Sequence, residues 1–330
     1  MRALLLVVLG LALLWGGYWF MGSRALERGA ENWFAAQQAR GFIATRDSLS
    51  VRGFPNRFDL TVEGLHLEDP ARGYGWIAPF AQIFSLSYKP WHLIAALPPE
   101  QTFRTPRQDI ALTSARLRGS LIVKPGPALT LDRIAVMGEG LAAQSTEGWH
   151  LAAATARFAS RQDAAQTNAH QIGIEILGLA PDPALMRVLS GQAPLPPEIE
   201  LARLDATAAF AAPLDRHSLE SRPALTALTI REGLIRWGTL GFFARGSIAP
   251  DAQGLAEGRI DLRLENWRLA LAAARAIGLI TPETAPTLER ALALLAQQSG
   301  TPEVLELPLS FQAGRMSLGP IPLGPAPALR

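Results

Sequence analysis

The segment that decides the fold class is GLIRWGTLGFFARGSIAPDAQG, residues 233–254. It predicts a strand, a tight turn and a second strand, followed by the loop Pro250-Asp-Ala-Gln-Gly254 that leads into a further strand. Outward from this segment, apolar and polar residues alternate again at 260–264, 172–176 and 58–63. Alternation with a period of two is typical of strands that bury one face and expose the other.

Many short strands separated by turn residues indicate an antiparallel meander and not a series of β-α-β units. Two helical patterns interrupt the strands near the C-terminus, at 267–277 and 286–298, and Gly278 and Gly300 are expected to end them. The sequence therefore predicts a mainly β fold with minor α. An N-terminal transmembrane helix is followed by a large antiparallel β-meander, which forms a curved sheet or an open sandwich, with a C-terminal helical pair.

The composition is that of a folded protein, since 48% of the 330 residues are hydrophobic and 18% are charged. The absence of cysteine excludes disulfides, thiolate nucleophiles and cysteine-ligated metal centres. The net charge is only +2, and the arginines are dispersed along the chain. Because nucleic-acid binding requires a concentrated basic face, we expect no nucleic-acid partner.

The N-terminus predicts a membrane anchor, because residues 3–21 carry no charge between Arg2 and Arg24. As a helix this segment is about 28 Å long, close to the ~30 Å hydrocarbon core of a bilayer. Aromatic rings at its end favour the headgroup layer. The expected anchor residues are Leu4, Leu5, Leu6, Leu9, Leu11, Leu13, Leu14, Trp15, Tyr18, Trp19 and Phe20. A cleaved secretory signal is the alternative, although its apolar part usually has about 7–15 residues.

Three segments are expected along the chain: the transmembrane anchor at 1–23, an amphipathic juxtamembrane helix at 24–41 that stops at Gly41, and a β-rich domain at 42–330. Within this domain, the Pro/Gly-rich stretch 181–198 is a candidate subdomain seam, and residues 267–299 form a helical insertion. The arginines on the two sides of the anchor do not decide which side of the membrane carries the large domain.

No catalytic or metal-binding motif is present. The five histidines are isolated and pair at none of the spacings typical of metal sites. A nucleophile elbow, a P-loop and an EF-hand loop are missing as well. We therefore expect no catalytic residues, no metal, no cofactor and no enzymatic activity.

Two local strings are distinctive. The turn Gly53-Phe-Pro-Asn56 delivers Phe58 into a strand, and we expect it to anchor the first hairpin. The string Trp76-Ile-Ala-Pro79-Phe80-Ala-Gln82-Ile-Phe84 favours core packing, and the alternative is that it lines an apolar cavity.

Four strings carry a resemblance to a known family: Trp15-Gly-Gly-Tyr-Trp19, Gly53-Phe-Pro55, Pro79 through Tyr88-Lys-Pro90, and Gly319-Pro-Ile-Pro-Leu-Gly324-Pro. Together they resemble a family of membrane-anchored Gram-negative envelope proteins that is classed as a domain of unknown function. The glycine-punctuated strands at 233–264 also resemble AsmA-like and TamB-like envelope proteins. The resemblance implies a single-pass anchor in the inner membrane with the main domain in the periplasm, and it implies no catalytic residues.

Two functions follow as hypotheses. The first is lipid handling or envelope biogenesis, in which the apolar side of the sheet forms a groove that shields acyl chains at about 0.8 kcal/mol per buried CH₂. The second is a structural module that binds a protein partner through a sheet edge or the extended C-terminal tail. A hydrolase remains a third reading, because distant residues can converge in a fold without a sequence motif.

Overall fold

A computed structural model of the chain describes residues 1–298 and 301–329. Antiparallel strands make up most of these residues, and they are joined to one long N-terminal helix and several shorter helices. The predicted fold class, mainly β with minor α, is confirmed.

The chain divides into two compact units. The first unit consists of residues 1–125 and 136–148, and the second of residues 126–135 and 149–330. The candidate seam at 181–198 lies inside the second unit, whereas the divisions follow residues 125, 135 and 148.

The first unit contains the long helix and the strands that precede residue 149. Its elements are α1 (Arg2–Ala39), β1 (Ile43–Thr45), β2 (Ser48–Arg52), β3 (Arg57–Asp69), β4 (Tyr74–Leu86), β5 (Lys89–Leu97), β6 (Glu100–Arg104), β7 (Asp109–Thr113), β8 (Arg116–Val123) and, from residue 136 onward, β9 (Leu131–Ser145). Strand β3 pairs with β2 and β4, β4 pairs with β5 and β6, and β6 pairs with β7, all antiparallel.

The anchor predicted at 1–23 and the amphipathic helix predicted at 24–41 form one uninterrupted helix, α1. No proline interrupts its 38 residues, so the helix rises by about 57 Å. It ends before Gly41, whose φ of +87° lets the chain turn away, as the sequence predicts.

The C-terminal half of α1 packs on the sheet of the first unit. Phe34 is 4% exposed, and it lies in a core with residues of β1, β3 and β4: Ala44, Leu60, Val62, Leu65 and Ala78. The alternation predicted at 58–63 is confirmed, because Phe58, Leu60 and Val62 are buried.

The second unit is a meander in which each strand from β10 to β18 pairs antiparallel with the next. After the first residues of β9, its elements are β10 (His150–Gln162), β11 (Ala169–Ala180), α2 (Pro183–Ser190), β12 (Ile199–Phe210), α3 (Ser218–Ser221), β13 (Leu225–Trp237), β14 (Leu240–Pro250), β15 (Ala256–Glu265), α4 (Trp267–Ala276), α5 (Ala285–Gln298), β16 (Val304–Gln312), β17 (Arg315–Leu318) and β18 (Ile321–Pro325).

The segment 233–254 folds as its sequence predicts. Strand β13 ends at Trp237, a two-residue turn follows, and Leu240 pairs back with Trp237 at the start of β14. In the loop after β14, the Asp251 carboxylate accepts backbone hydrogen bonds from Gln253 and Leu255, both at 2.8 Å. This side-chain turn directs the chain into β15.

The predicted C-terminal helical pair consists of α4 and α5, which pack on β16. Their shared core is formed by Trp267, Leu271, Leu292, Ala296, Leu305 and Leu307. Gly278, with a φ of +76°, follows α4 as expected. The last residue of the predicted insertion, Ser299, and the predicted stop Gly300 lie outside the described residues.

Leu271→Ala is expected to lower the free energy of unfolding by about 2–5 kcal/mol, because it leaves a cavity between the helices and the sheet. Leu279→Ala is the matched control, since Leu279 is 76% exposed whereas Leu271 is 7% exposed. Its cost should stay within about 0.5 kcal/mol. Urea unfolding followed by circular dichroism measures the free energy of unfolding of each variant. An equal decrease in the two variants would contradict the packing of α4 and α5 on β16.

Candidate functional site

The register of β10 to β16 places alternate residues of seven strands on one side of the sheet, because directly opposite residues of antiparallel strands point to the same side. One row across the strands is Phe158, Ile174, Leu204, Gly233, Ala244, Leu262 and Leu307. The next row is Ala156, Ile176, Ala202, Ile235, Phe242, Leu264 and Leu305. We call the side of the sheet that carries these two rows the apolar face.

Two further rows extend the apolar face. They begin at Ser160 and Gln162, and apart from these two residues and His170 they contain only apolar residues and glycines. His170 is 2% exposed, and its Nδ1 lies 3.2 Å from the Ser160 hydroxyl. The polar groups on this side of the sheet are thus few, and this buried pair is hydrogen-bonded.

The opposite side of the same strands carries ion pairs. Arg157 and Arg203 donate hydrogen bonds to the Glu175 carboxylate at 2.9 and 2.8 Å. The hydrogen bond from Arg203 is the largest of several effects that lower the pKa of Glu175 below its ordinary value. Arg231 pairs with Asp205 on the neighbouring strands. This side also carries the apolar residues Leu177, Leu201, Leu234 and Phe243, but its ion pairs distinguish it from the apolar face.

The helices α4 and α5 cover only one edge of the apolar face. Leu305 and Leu307 of β16 lie in the core that these helices share, and they are 5% and 7% exposed. On β10 to β14 the same two rows stay open: Ile235 is 37% exposed, and Phe158 and Leu204 are only partly buried. These two rows are therefore incompletely covered from β10 to β14, whereas in the two further rows Ser160, His170, Ala206, Ala208 and Ile248 are buried.

The first unit has a separate pocket of about 550 Å³, lined by aromatic side chains. They are Trp33, Phe42, Tyr74, Trp76 and Phe103. Trp76 lines this cavity, and it also packs against the core that contains Ala78 of the same string, so both readings of the string hold in part. At the rim, Glu68 accepts a hydrogen bond from Arg104 at 2.8 Å and lies 3.0 Å from His66. The hydrogen bond with His66, followed by the charge of Arg104, lowers the pKa of Glu68 below its ordinary value.

Among the described residues, α1 is the one helix long and apolar enough to cross a membrane. The leucines predicted as anchor residues point outward along its first half and are between 55% and 73% exposed: Leu4, Leu5, Leu6, Leu9, Leu11, Leu13 and Leu14. Such exposure of contiguous leucines is what a lipid-facing segment requires. Its length and composition fit a membrane span or a signal sequence.

The aromatic anchor residues contact protein as well. Three side-chain donors of α1 bind backbone carbonyls of the first unit: Trp15 Nε1 to Pro55 at 3.1 Å, Tyr18 Oη to Ser87 at 2.6 Å and Trp19 Nε1 to Arg57 at 2.7 Å. We call these three donors and their acceptors the aromatic junction. It joins α1 to the turn between β2 and β3 and to the turn between β4 and β5.

Ring packing reinforces the aromatic junction. Trp19 is 6% exposed, with ring centroids 6.0 Å from Phe58 and 5.4 Å from Phe54, whereas Phe20 is 56% exposed. Gly22 allows the close approach, because a Cβ at this position would lie 2.6 Å from the Phe58 ring.

The sequence did not predict this second role of Trp15, Tyr18 and Trp19. The turn at 53–56 was expected only to anchor the first hairpin, and it also receives α1. A signal was present, because three polar aromatic donors within five residues need partners wherever water is excluded.

In the part of the chain that the structure describes, no three histidine, aspartate or glutamate side chains come together in a group that could hold a metal ion. The expectations that the chain is not an enzyme and uses no cofactor stay predictions.

The chain belongs to the family DUF2125, described as uncharacterized protein conserved in bacteria, whose family model matches residues 19–327. This confirms the family resemblance inferred from the sequence, while the likeness to AsmA-like and TamB-like proteins stays a prediction. No curated protein matches the chain.

Gly22→Leu is expected to destabilise the first unit, because the added side chain separates α1 from Phe58 and breaks the aromatic junction. Gly29→Leu is the matched control, since a Cβ at Gly29 meets nothing within 4 Å. Both changes remove a helix glycine and gain about 0.5–1 kcal/mol of helix propensity. Thermal unfolding in detergent should show a lower midpoint for the first variant alone, and equal or raised midpoints for both would contradict the junction.

Glu175→Gln is expected to reduce stability at pH 7 and to have less effect in acid. The pKa of Glu175 is lowered by folding, so its stabilising contribution is complete above the ordinary value of about 4.5 and is lost as the pH falls through the lower folded value. The difference in unfolding midpoint between wild type and variant should therefore shrink below about pH 4.5. Glu257→Gln, at an exposed position of β15, controls for the loss of one negative charge. A difference that grows in acid would contradict the assignment.

Proposed function

We propose that this member of the family is a membrane-anchored envelope protein that holds lipid acyl chains on the apolar face of its second unit. In this proposal α1 crosses the inner membrane once and remains uncleaved, and the main domain lies in the periplasm. The exposed leucines of α1 support the anchor, and the family resemblance of the sequence supports the orientation.

The observation that carries the proposal is the uncovered part of the apolar face between β10 and β14. Monomeric soluble proteins rarely expose large contiguous apolar patches, and those that do usually bind something there. The side chains concerned belong to the middle of the sheet, where packing would bury them if the fold closed on itself. An apolar ligand that covers them removes this surface from water.

The dimensions of the uncovered face suit acyl chains. Four strand spacings separate β10 from β14, or about 19 Å. One leaflet of a bilayer holds its acyl chains within about 15 Å, half of the hydrocarbon core. An extended chain laid across these strands therefore stays in contact along most of its length, and each CH₂ that it shields contributes about 0.8 kcal/mol.

The ion pairs on the opposite side of the sheet also support lipid binding on the apolar face. The opposite side is tied together by cross-strand pairs such as Arg157–Glu175 and Arg203–Glu175. A lipid on the apolar face can leave its headgroup at the sheet margin, so no charge has to be buried.

The test is lipid content of the full chain purified in a mild detergent, measured by native mass spectrometry and solvent extraction. Wild-type protein should carry acyl lipid at a defined stoichiometry, and the double variant Leu204→Glu with Ile235→Glu should lose it, because two carboxylates then lie on the apolar face. The control is Leu185→Glu with Val188→Glu on α2, which adds the same charge at residues 38% and 52% exposed.

Lipid that adheres to α1 is present in wild type, in the face variant and in the control variant. The informative quantity is therefore the difference in lipid content between them. Equal lipid content in wild type and the face variant would overturn the proposal. A co-purifying protein that is lost from the face variant alone would identify the alternative, a protein partner on the same surface.

A further inference from the structure

The aromatic junction lies within the part of α1 that would cross the membrane. The first unit, which the junction holds against α1, therefore has to lie close to the bilayer and not at a distance from it. The first junction residue, Trp15, follows Arg2 by a rise of only about 20 Å. The hydrocarbon core is about 30 Å thick, and the uncharged segment 3–21 is needed in full to cross it. Trp15, Tyr18 and Trp19 therefore lie in the outer third of the core or at its boundary.

What these residues bind must lie at the same depth. Hydrogen bonds of 2.6–3.1 Å tie the three donors to the backbone of Pro55, Ser87 and Arg57. We propose that the first unit is partly inserted into the bilayer surface beside α1. Its two turns at 53–57 and 87–88 lie among the lipid headgroups and the upper acyl chains. This inference rests on the proposed anchoring of α1.

The exposed side chains of these turns fit such a depth. Phe54 is 56% exposed and Tyr88 is 59% exposed, and both project from turns, where polar residues would be usual in water. Phe54 also stacks on Phe20 of α1, with ring centroids 5.7 Å apart. Lys89, directly after Tyr88, can extend its ammonium group toward lipid phosphates. Rings at the boundary beside a basic residue are typical of the interfacial layer.

Backbone hydrogen bonding at the turns is consistent with this depth. Polar backbone groups within a bilayer need protein partners, since no water is present to replace them. The Arg57 amide donates to Gly53 at 2.9 Å, and the Ser87 amide donates to Asn56 at 2.9 Å. The carbonyls of Pro55, Ser87 and Arg57 receive the donors of the aromatic junction. These backbone groups of the two turns thus have protein partners, as a position within the bilayer requires.

The absence of cysteine makes a depth measurement direct, because single-cysteine variants can carry one nitroxide label each. The full chain is reconstituted in vesicles of phosphatidylcholine and phosphatidylglycerol. Labels at Phe54→Cys and Tyr88→Cys report the turns, and a label at Leu9→Cys reports the middle of the anchor. The observable is the ratio of spin relaxation by oxygen, which enters the bilayer, to relaxation by a water-soluble nickel complex.

Tyr74→Cys is the matched control, because Tyr74 is an aromatic residue of the same unit and is 57% exposed. It pairs with Asp69 at the far end of β3, about 40 Å along the strand from Arg57. We expect the labels at 54 and 88 to favour oxygen over the nickel complex, as at position 9, and the label at 74 to show the reverse.

Two results would overturn the inference. The first leaves the proposed anchoring of α1 intact, and the second contradicts the anchoring as well. If position 9 is shielded from the nickel complex while positions 54 and 88 behave like position 74, the turns are in water and the anchor stands. If position 9 is itself open to the nickel complex, α1 does not cross the bilayer, and the anchoring fails together with the inference.

Discussion

The geometry of antiparallel pairing is the constraint on which the second unit depends. Residues directly opposite one another in neighbouring strands point to the same side, so a register that aligns one apolar residue with another aligns the whole face. From β10 to β16 this register holds across seven strands, and bulges occur where β13 pairs with its neighbours. A slip of one residue in one strand would place its isoleucines or leucines among the arginines of the opposite side. The separation into an apolar face and a charged side is therefore a single property of the sheet.

The aromatic junction plays the corresponding part in the first unit. Trp15, Tyr18 and Trp19 each donate one hydrogen bond to a backbone carbonyl. The rings of Trp15 and Tyr18 stay exposed, whereas the Trp19 ring is buried against Phe54 and Phe58. Tryptophan and tyrosine combine an apolar body with one polar group, and this suits a boundary between protein, headgroups and hydrocarbon. The helix is thereby fixed to the strands of its own unit, so under the proposed anchoring the orientation of α1 and that of these strands are coupled.

Local periodicity was sufficient to predict the fold class. The alternation at 172–176 and 260–264, and the strand–turn–strand pattern at 233–254, are properties of neighbouring residues, and the structure keeps them. The structure joins the predicted anchor and juxtamembrane helix in one continuous helix, because the charges that follow the apolar segment do not break a helix. The contact of Trp19 with the carbonyl of Arg57 depends on residues 38 positions apart, which no local pattern encodes. The uncovered state of the apolar face was also beyond the sequence, since an alternating strand has the same pattern in a closed core and in an open sheet.

A photoreactive amino acid in place of Ile235 tests the proposed contact between acyl chains and the apolar face. Ile235 is 37% exposed in the uncovered part of the face, and Leu279, which is 76% exposed, provides the comparison position. Irradiation of living bacteria followed by mass analysis of the full chain identifies what lies against the probe. We expect an adduct with the mass of a phospholipid at position 235 and none at position 279. A chain without a lipid adduct at 235, or one joined there to another protein, would contradict it.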